Sequence, residues 1–182
     1  MAVIALKCPH IKVTVVDISK PQIAAWNSPT LPIYEPGLAD LVMRNVNANR
    51  LQFSTDIGPA VAVADAVFIA VGTPTRRGNG HADLTYVYAV AEEIATHLKG
   101  YTVVITKSTV PVGTGREVSA IIRQANANAD FDVASNPEFL REGAAIGDFM
   151  RPDRVVVGAE TDCAREVMRA LYRPLFLIET PI

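Results

Sequence analysis

The sequence of 182 residues predicts an α/β fold in which a doubly wound, mostly parallel sheet carries helices on both faces. Three observations predict it. Short apolar or β-branched runs recur along the chain, and amphipathic stretches of helical period lie between them. The composition, 49% hydrophobic and 20% charged, supplies enough apolar residues to cover central strands on both faces. Strands alternating with helices of ten to fifteen residues imply right-handed βαβ units, and a chain of this length suits one domain.

The first residues, Met1 to Leu6, are apolar, but Lys7, Pro9 and His10 stop them well short of a membrane span. No basic region precedes them, so they read as the tail of a helix. Ile11 to Val16 is rich in β-branched residues and ends on Asp17, the pattern of a buried strand. Leu51 to Ser54, Ala66 to Val71, Tyr101 to Thr106, Phe131 to Ser135 and Arg154 to Val157 are the further strands expected. Leu84, Val87, Tyr88, Ala91, Ile94, Ala95 and Leu98 form one apolar stripe of a helix that Asp83 is placed to cap. A second helix is expected from Thr114, where Thr-Gly-Arg-Glu matches a capping box and Val118, Ile121 and Ile122 supply the buried side. A third runs from Asp162 to Leu171. Two long irregular stretches remain, Asn27 to Gly37 and Gly72 to His81, and loops of that length in an α/β domain are more often functional than idle.

The net charge of −2, from 17 basic and 19 acidic residues, offers no basic surface for the phosphate contacts that dominate nucleic-acid affinity. Nucleic acids and anionic membranes are therefore excluded as expected partners. Cys8 and Cys163 are too few for a disulfide framework and have no metal-ligand spacing around them, which indicates a reducing cytoplasm and no metal site.

A dinucleotide fold opens with a strand, a Gly-rich turn and a helix whose N-terminus holds a pyrophosphate, followed about 20 residues later by an acidic residue on the ribose. Asp17 stands where that acidic residue would be, but the opening strand and glycines are not in front of it. They are expected upstream of Met1. Spacing alone leaves two readings of Asp17, a strand-end residue that caps the next turn and a ribose ligand.

Separated blocks of sequence narrow this. They are Trp26-Asn27-Ser28-Pro29-Thr30-Leu31-Pro32-Ile33-Tyr34-Glu35-Pro36-Gly37; Val71-Gly72-Thr73-Pro74-Thr75 with Ala82-Asp83-Leu84; Lys107-Ser108-Thr109-Val110-Pro111; and Ser135-Asn136-Pro137-Glu138-Phe139-Leu140-Arg141-Glu142-Gly143. In this order they resemble the N-terminal NAD-binding domain of the UDP-glucose/GDP-mannose dehydrogenase family, and the first block resembles its UDP-glucose branch. The likeness covers almost the whole chain. It implies a Rossmann-like domain, residues 1–182, that lacks its first strand and Gly-rich loop and is separated from the family's central helix and UDP-binding domain.

The resemblance also implies an activity and its residues. Members oxidise the C6 hydroxyl of UDP-glucose twice, through an aldehyde and a cysteine-bound thioester, with NAD as oxidant and UDP-glucuronate as product. Asp17 becomes a ribose ligand, and its charge would repel the 2′-phosphate of NADP. Val71, Gly72, Thr73 and Pro74 match a loop that packs on the cofactor; without the family, the same residues read as a plain turn. Ser108 and Thr109 match a pair near the nicotinamide, where the threonine hydroxyl holds the water that hydrolyses the thioester. Lys107 is kept as a supporting residue.

Glu138 matches the family's acid or base. Phe139, Leu140 and Arg141 match the segment whose backbone touches the sugar and diphosphate, and Glu142 a residue that reaches toward the nicotinamide. The family's nucleophilic cysteine lies in a Gly-rich motif that neither Cys8 nor Cys163 matches, so both read as structural thiols and the chain by itself as inactive. The full-length parent is expected to be a homo-oligomer. A parent acting on UDP-N-acetylmannosamine or GDP-mannose, and a non-catalytic Rossmann-like module, are the competing readings.

Overall fold

A computed structural model of the protein describes residues 1–76 and 81–175. In chain order its elements are α1 (Ala2–Lys7), β1 (Val13–Val16), α2 (Lys20–Trp26), α3 (Leu38–Asn47), β2 (Leu51–Ser54), α4 (Ile57–Ala62), β3 (Ala66–Ile69), α5 (Thr85–His97), β4 (Thr102–Thr106), α6 (Thr114–Ala125), β5 (Phe131–Ser135), α7 (Ala145–Met150), β6 (Gly158–Ala159) and α8 (Asp162–Tyr172). The chain forms two compact units. One holds residues 1–60, 139–155 and the described residues from 169 onward; the other holds residues 61–138 and 156–168.

In the first unit β1 and β2 pair in parallel, Val13 opposite Leu51 through Val16 opposite Ser54. Ala5, Val42 and Leu51 are buried together, and Val13, Val15, Trp26, Leu31 and Phe53 pack around them. The Trp26 and Phe53 rings stack at 5.2 Å, a geometry that adds to simple area burial. Ser19 caps α2 by accepting from the Gln22 amide, with Pro21 in the first turn, where the missing N–H costs nothing. Gly37 opens α3 at φ 79°, which a side chain would resist. The buried Asn45 of α3 is satisfied: its amide donates to the carbonyls of Ala2 and Leu41, both at 2.9 Å, and its oxygen accepts from Arg50. A polar group in that position is tolerated because each of its atoms is paired.

The second unit is built on a four-stranded sheet in the order β3-β4-β5-β6. β3 to β5 run parallel, with Ala66 opposite Val103 and Thr102 opposite Phe131. Every residue of the central strand β4 is buried. Its two threonines keep their hydroxyls hydrogen-bonded, Thr102 to the Ala64 carbonyl at 2.9 Å and Thr106 to that of Ala134 at 3.3 Å. α5 buries Val87, Ala91, Ile94 and Ala95, and α6 buries Val118 and Ile122. The side-chain amide of Asn126 ties the end of α6 to the Ala95 carbonyl.

The expected α/β architecture with parallel strands is therefore present, and Leu51–Ser54 and Phe131–Ser135 form strands over the residues expected. Three expectations are corrected. The stretch from Arg154 to Val157 forms no strand; pairing occurs one step later, where Gly158 lies opposite Ser135 in antiparallel register. A Cβ at Gly158 would sit 2.5 Å from the Ser135 hydroxyl oxygen, so any larger residue there requires that hydroxyl to move. Thr114 is not an N-cap: Gly113, at φ 98°, takes that place, the Thr114 hydroxyl turns back to the Pro111 carbonyl, and the Glu117 carboxylate accepts from the Tyr88 hydroxyl. Four helices, α2, α3, α4 and α7, were not anticipated. They are short or begin inside Gly- and Pro-rich sequence, where turn signals mask a helix start. Among the described residues, no helix is long and apolar enough to cross a membrane.

Candidate functional site

Parallel strands present their carboxyl ends on one edge of a sheet, and in the second unit three chain segments leave β3, β4 and β5 there. Side chains cross-link these segments. The Ser108 hydroxyl, after β4, donates to the Val71 carbonyl, after β3, at 2.6 Å. The Thr73 hydroxyl donates to the Thr109 carbonyl at 3.3 Å, and the Lys107 amide to that of Ile69 at 2.8 Å. Val71, Thr73, Ser108 and Thr109 are thus brought together. Gly72 and Pro74, in the same turn, are exposed, and a Cβ at Gly72 would meet nothing within 4 Å. Beyond Pro74 the turn is closed by a bridge between Thr75 and Ala82 and by the Asp83 amide donating to the Pro74 carbonyl. The Asp83 carboxylate accepts from the Thr85 hydroxyl and amide, which hold its pKa down. Residues 77–80 of the second irregular stretch lie outside the described residues.

The link between the ends of β4 and β5 is a charge-assisted hydrogen bond. Lys107 is half-buried, and its ammonium donates to the Asn136 side-chain oxygen at 3.2 Å. Asn136 is 1% exposed and anchored twice more: its backbone amide donates to the Thr106 carbonyl at 2.9 Å and its side-chain amide to that of Val156 at 2.8 Å. Burial pushes the Lys107 pKa down, and the negative charge of Glu138, two residues after Asn136, partly opposes this. The Glu138 carboxylate is exposed within the field of Lys107. Sequence reasoning passed over Asn136 as a residue of the site. The legible signal was an amide directly before proline at the end of a buried strand.

The remaining candidates belong to the first unit. Asp17 is exposed at the carboxyl end of β1, where one carboxylate oxygen accepts from the Ser19 amide at 2.8 Å. The turn-capping role and an acceptor role are therefore compatible, since a carboxylate has more than one acceptor site. Phe139 is 61% exposed, with the Arg154 guanidinium 5.7 Å from its ring centre, and Leu140 is 37% exposed. Arg141 binds Asp148 three ways, through its amide at 3.0 Å, Nε at 3.0 Å and Nη2 at 2.7 Å. The Arg141 hydrogen bonds hold the Asp148 pKa at about 2. Glu142 is exposed, and Gly143, at φ 78°, donates its amide to the Glu35 carboxylate at 2.8 Å.

The two cysteines differ. Cys8 is buried at the end of α1, where its thiol faces the Leu171 carbonyl at 3.8 Å and burial raises its pKa; Cys163 is exposed at the start of α8. Among the described residues, no cluster of three His, Cys, Asp or Glu side chains is placed to hold a metal ion.

A parallel sheet edge furnished with hydroxyls, a carboxylate and a half-buried lysine places polar groups where open α/β folds bind their ligands, which sets the class as an α/β ligand-binding domain. The comparisons give the family. Residues 1–176 match the NAD binding domain of the UDP-glucose/GDP-mannose dehydrogenase family, and the chain belongs to that family. It is 59% identical over 172 residues to the UDP-glucose 6-dehydrogenase of Rhizobium meliloti, covering 93% of this chain and 39% of that protein. Its fold matches a UDP-glucose dehydrogenase from Pyrobaculum islandicum with a TM-score of 0.89 and 37% identity, over 98% of this chain and 41% of that one. A GDP-mannose dehydrogenase from Pseudomonas aeruginosa superposes with a TM-score of 0.91 and 33% identity, over 100% of this chain and 42% of that one. The chain thus spans about two fifths of the length of these relatives.

Proposed function

We propose that this chain is the cofactor-binding part of a UDP-glucose 6-dehydrogenase, which oxidises the C6 hydroxyl of UDP-glucose to a carboxylate in two NAD-dependent steps. The observation that carries the reading is the cross-linked strand-end cluster, in which Thr73, Ser108, Thr109 and the Lys107–Asn136 pair lock three segments together beside Glu138. The 59% identity to a UDP-glucose 6-dehydrogenase favours UDP-glucose over GDP-mannose, whose dehydrogenase is 33% identical. UDP-N-acetylmannosamine is the third substrate to be compared.

The residues present fit NAD by their chemistry. Asp17 is an exposed acceptor suited to ribose hydroxyls and hostile to a 2′-phosphate. Val71, Gly72, Thr73, Pro74, Ser108, Thr109 and Glu142 would line the rest of the site with backbone, neutral hydroxyls and one carboxylate. When bound, NAD supplies the hydride acceptor. Glu138 takes or returns the proton at the reacting hydroxyl or water, and Thr109 orients that water. Phe139, Leu140 and Arg141 hold the nucleotide sugar. The nucleophilic cysteine is assigned to the part of the parent that this chain does not include, because Cys8 is buried with its pKa raised and Cys163 stands outside the strand-end cluster.

Residues 1–182 are assigned as an incomplete NAD-binding domain whose first strand and Gly-rich turn precede Met1 in the parent. We place the parent, a homo-oligomer, in the reducing cytoplasm, a reading supported by two free cysteines. The test is NADH formation by the complete gene product with UDP-glucose, GDP-mannose and UDP-N-acetylmannosamine. UDP-glucose is expected to be preferred and residues 1–182 alone to give no turnover. Preference for either other sugar would overturn the substrate, and turnover by the isolated chain would overturn its assignment as a part.

A further inference from the structure

We propose that Glu35 is a positioning residue for the nucleotide sugar, acting through the Gly143 amide to hold the segment from Phe139 to Glu142 in its binding conformation. The inference rests on the proposed function, which makes that segment the sugar-binding one, and assigns a role to a loop that function left without one.

Two carboxylates, one local and one distant in sequence, hold this segment within the first unit. Asp148 takes the Arg141 amide and both faces of its guanidinium fork. Glu35 takes the amide of Gly143, 108 residues away in sequence. Phe139 and Leu140, just ahead of the two clamps, keep 61% and 37% of their surface exposed. The Arg141 charge is matched by Asp148, and under the proposed function the segment meets the sugar and diphosphate through its backbone. A backbone site needs its conformation set from outside, and Gly143, at φ 78°, is the residue least able to set it alone.

Glu35 is well placed to do so. Its carbonyl accepts from the Leu38 amide at 3.0 Å at the start of α3, and Pro36 and Gly37 follow it. Upstream, the Ser28 hydroxyl lies 2.8 Å from the carbonyls of both Ala25 and Thr30 and can donate to either one, and Leu31 packs on the core. The irregular stretch from Asn27 to Gly37 is thus fastened at both ends and carries the Glu35 carboxylate as a fixed acceptor.

Glu35→Ala and Glu35→Gln in the complete gene product test this, because glutamine retains an oxygen acceptor and alanine does not. Glu35→Ala is expected to raise the KM for UDP-glucose about tenfold, the scale of one lost charge-assisted hydrogen bond. The kcat and the KM for NAD should stay within about twofold, a change too small to signal lost transition-state stabilisation. Glu35→Gln should restore most of the affinity, and exchange of the Gly143 amide with solvent should accelerate in the alanine variant alone. An unchanged KM and an unchanged Gly143 exchange rate in Glu35→Ala would overturn the proposal. So would equal losses in both variants, which would mark a merely structural role. If the wild-type protein neither binds nor oxidises UDP-glucose, the proposed function fails instead, and Gly143 exchange still decides whether Glu35 holds the segment.

Discussion

Asn136 is the residue on which the strand-end cluster most depends, and its replacement by leucine isolates that dependence. Leucine keeps the volume and the backbone bond to Thr106, but removes the acceptor for Lys107 and the donor to the Val156 carbonyl. A neutral hydrogen bond is worth about 1 kcal/mol and one to a charged group about 1.5 to 3 kcal/mol. Lys107 is half-buried, so the lower end applies and the substitution should cost about 2.5 kcal/mol in total. Lys107→Met should cost far less, about 0 to 1 kcal/mol, because removing the charge also removes the desolvation that depresses its pKa. With the partner already gone, the double variant should recover about 1 to 1.5 kcal/mol relative to the sum of the single effects. Urea unfolding of the four proteins, followed by circular dichroism, reads this cycle. Additivity within about 0.4 kcal/mol would show that the two side chains do not interact and would refute the reasoning.

Three further outcomes are expected. The Asp148 carboxyl, with a folded pKa of about 2, lies below its unfolded value of about 3.9, so its ion pair stabilises fully above that value and is lost as pH falls toward 2; an NMR titration midpoint near 4 would contradict it. Gly158→Ala should destabilise by about 1 kcal/mol through the Ser135 hydroxyl, and a Ser135→Ala background should relieve most of that cost; an equal cost in both backgrounds would show that the contact is not the cause. A thiol reagent should modify Cys163 quickly in the folded protein and Cys8 only on unfolding, and rapid reaction of both would contradict the burial of Cys8.

The fold was legible where periodicity is strong. The stripe from Leu84 to Leu98 became α5, and the β-branched run at Tyr101 to Thr106 became the buried central strand β4. Legibility failed where tertiary contacts decide. Thr-Gly-Arg-Glu at Thr114 carries the letters of a capping box, but Tyr88 takes Glu117 from another helix and Gly113 supplies the cap geometry. Arg154 to Val157 has strand composition, yet pairing begins only at Gly158, where the absent Cβ lets two backbones approach past Ser135.

The candidate site divides in the same way. Thr73, Ser108, Thr109 and Glu138 became candidates only through the resemblance of their motifs to a known family, since the bare residues read as turns or solvated surface. The fastening roles of Asn136, Asp148 and Glu35 show in the hydrogen bonds they make, although Asn136 and Glu35 stand inside the blocks that carry the resemblance. A carboxylate bonded to an amide 108 residues away leaves no periodic or local trace in sequence.

The central claim is that Glu138, three residues beyond β5, serves proton transfer in the proposed NAD-dependent oxidation of UDP-glucose. Glu138→Gln in the complete gene product tests it most directly, since the amide keeps the shape and loses the base. NADH formation from UDP-glucose should fall at least about 100-fold, the lower range for a positioned acid or base, while NAD affinity is retained. Turnover within about twofold of the wild-type protein would contradict the account.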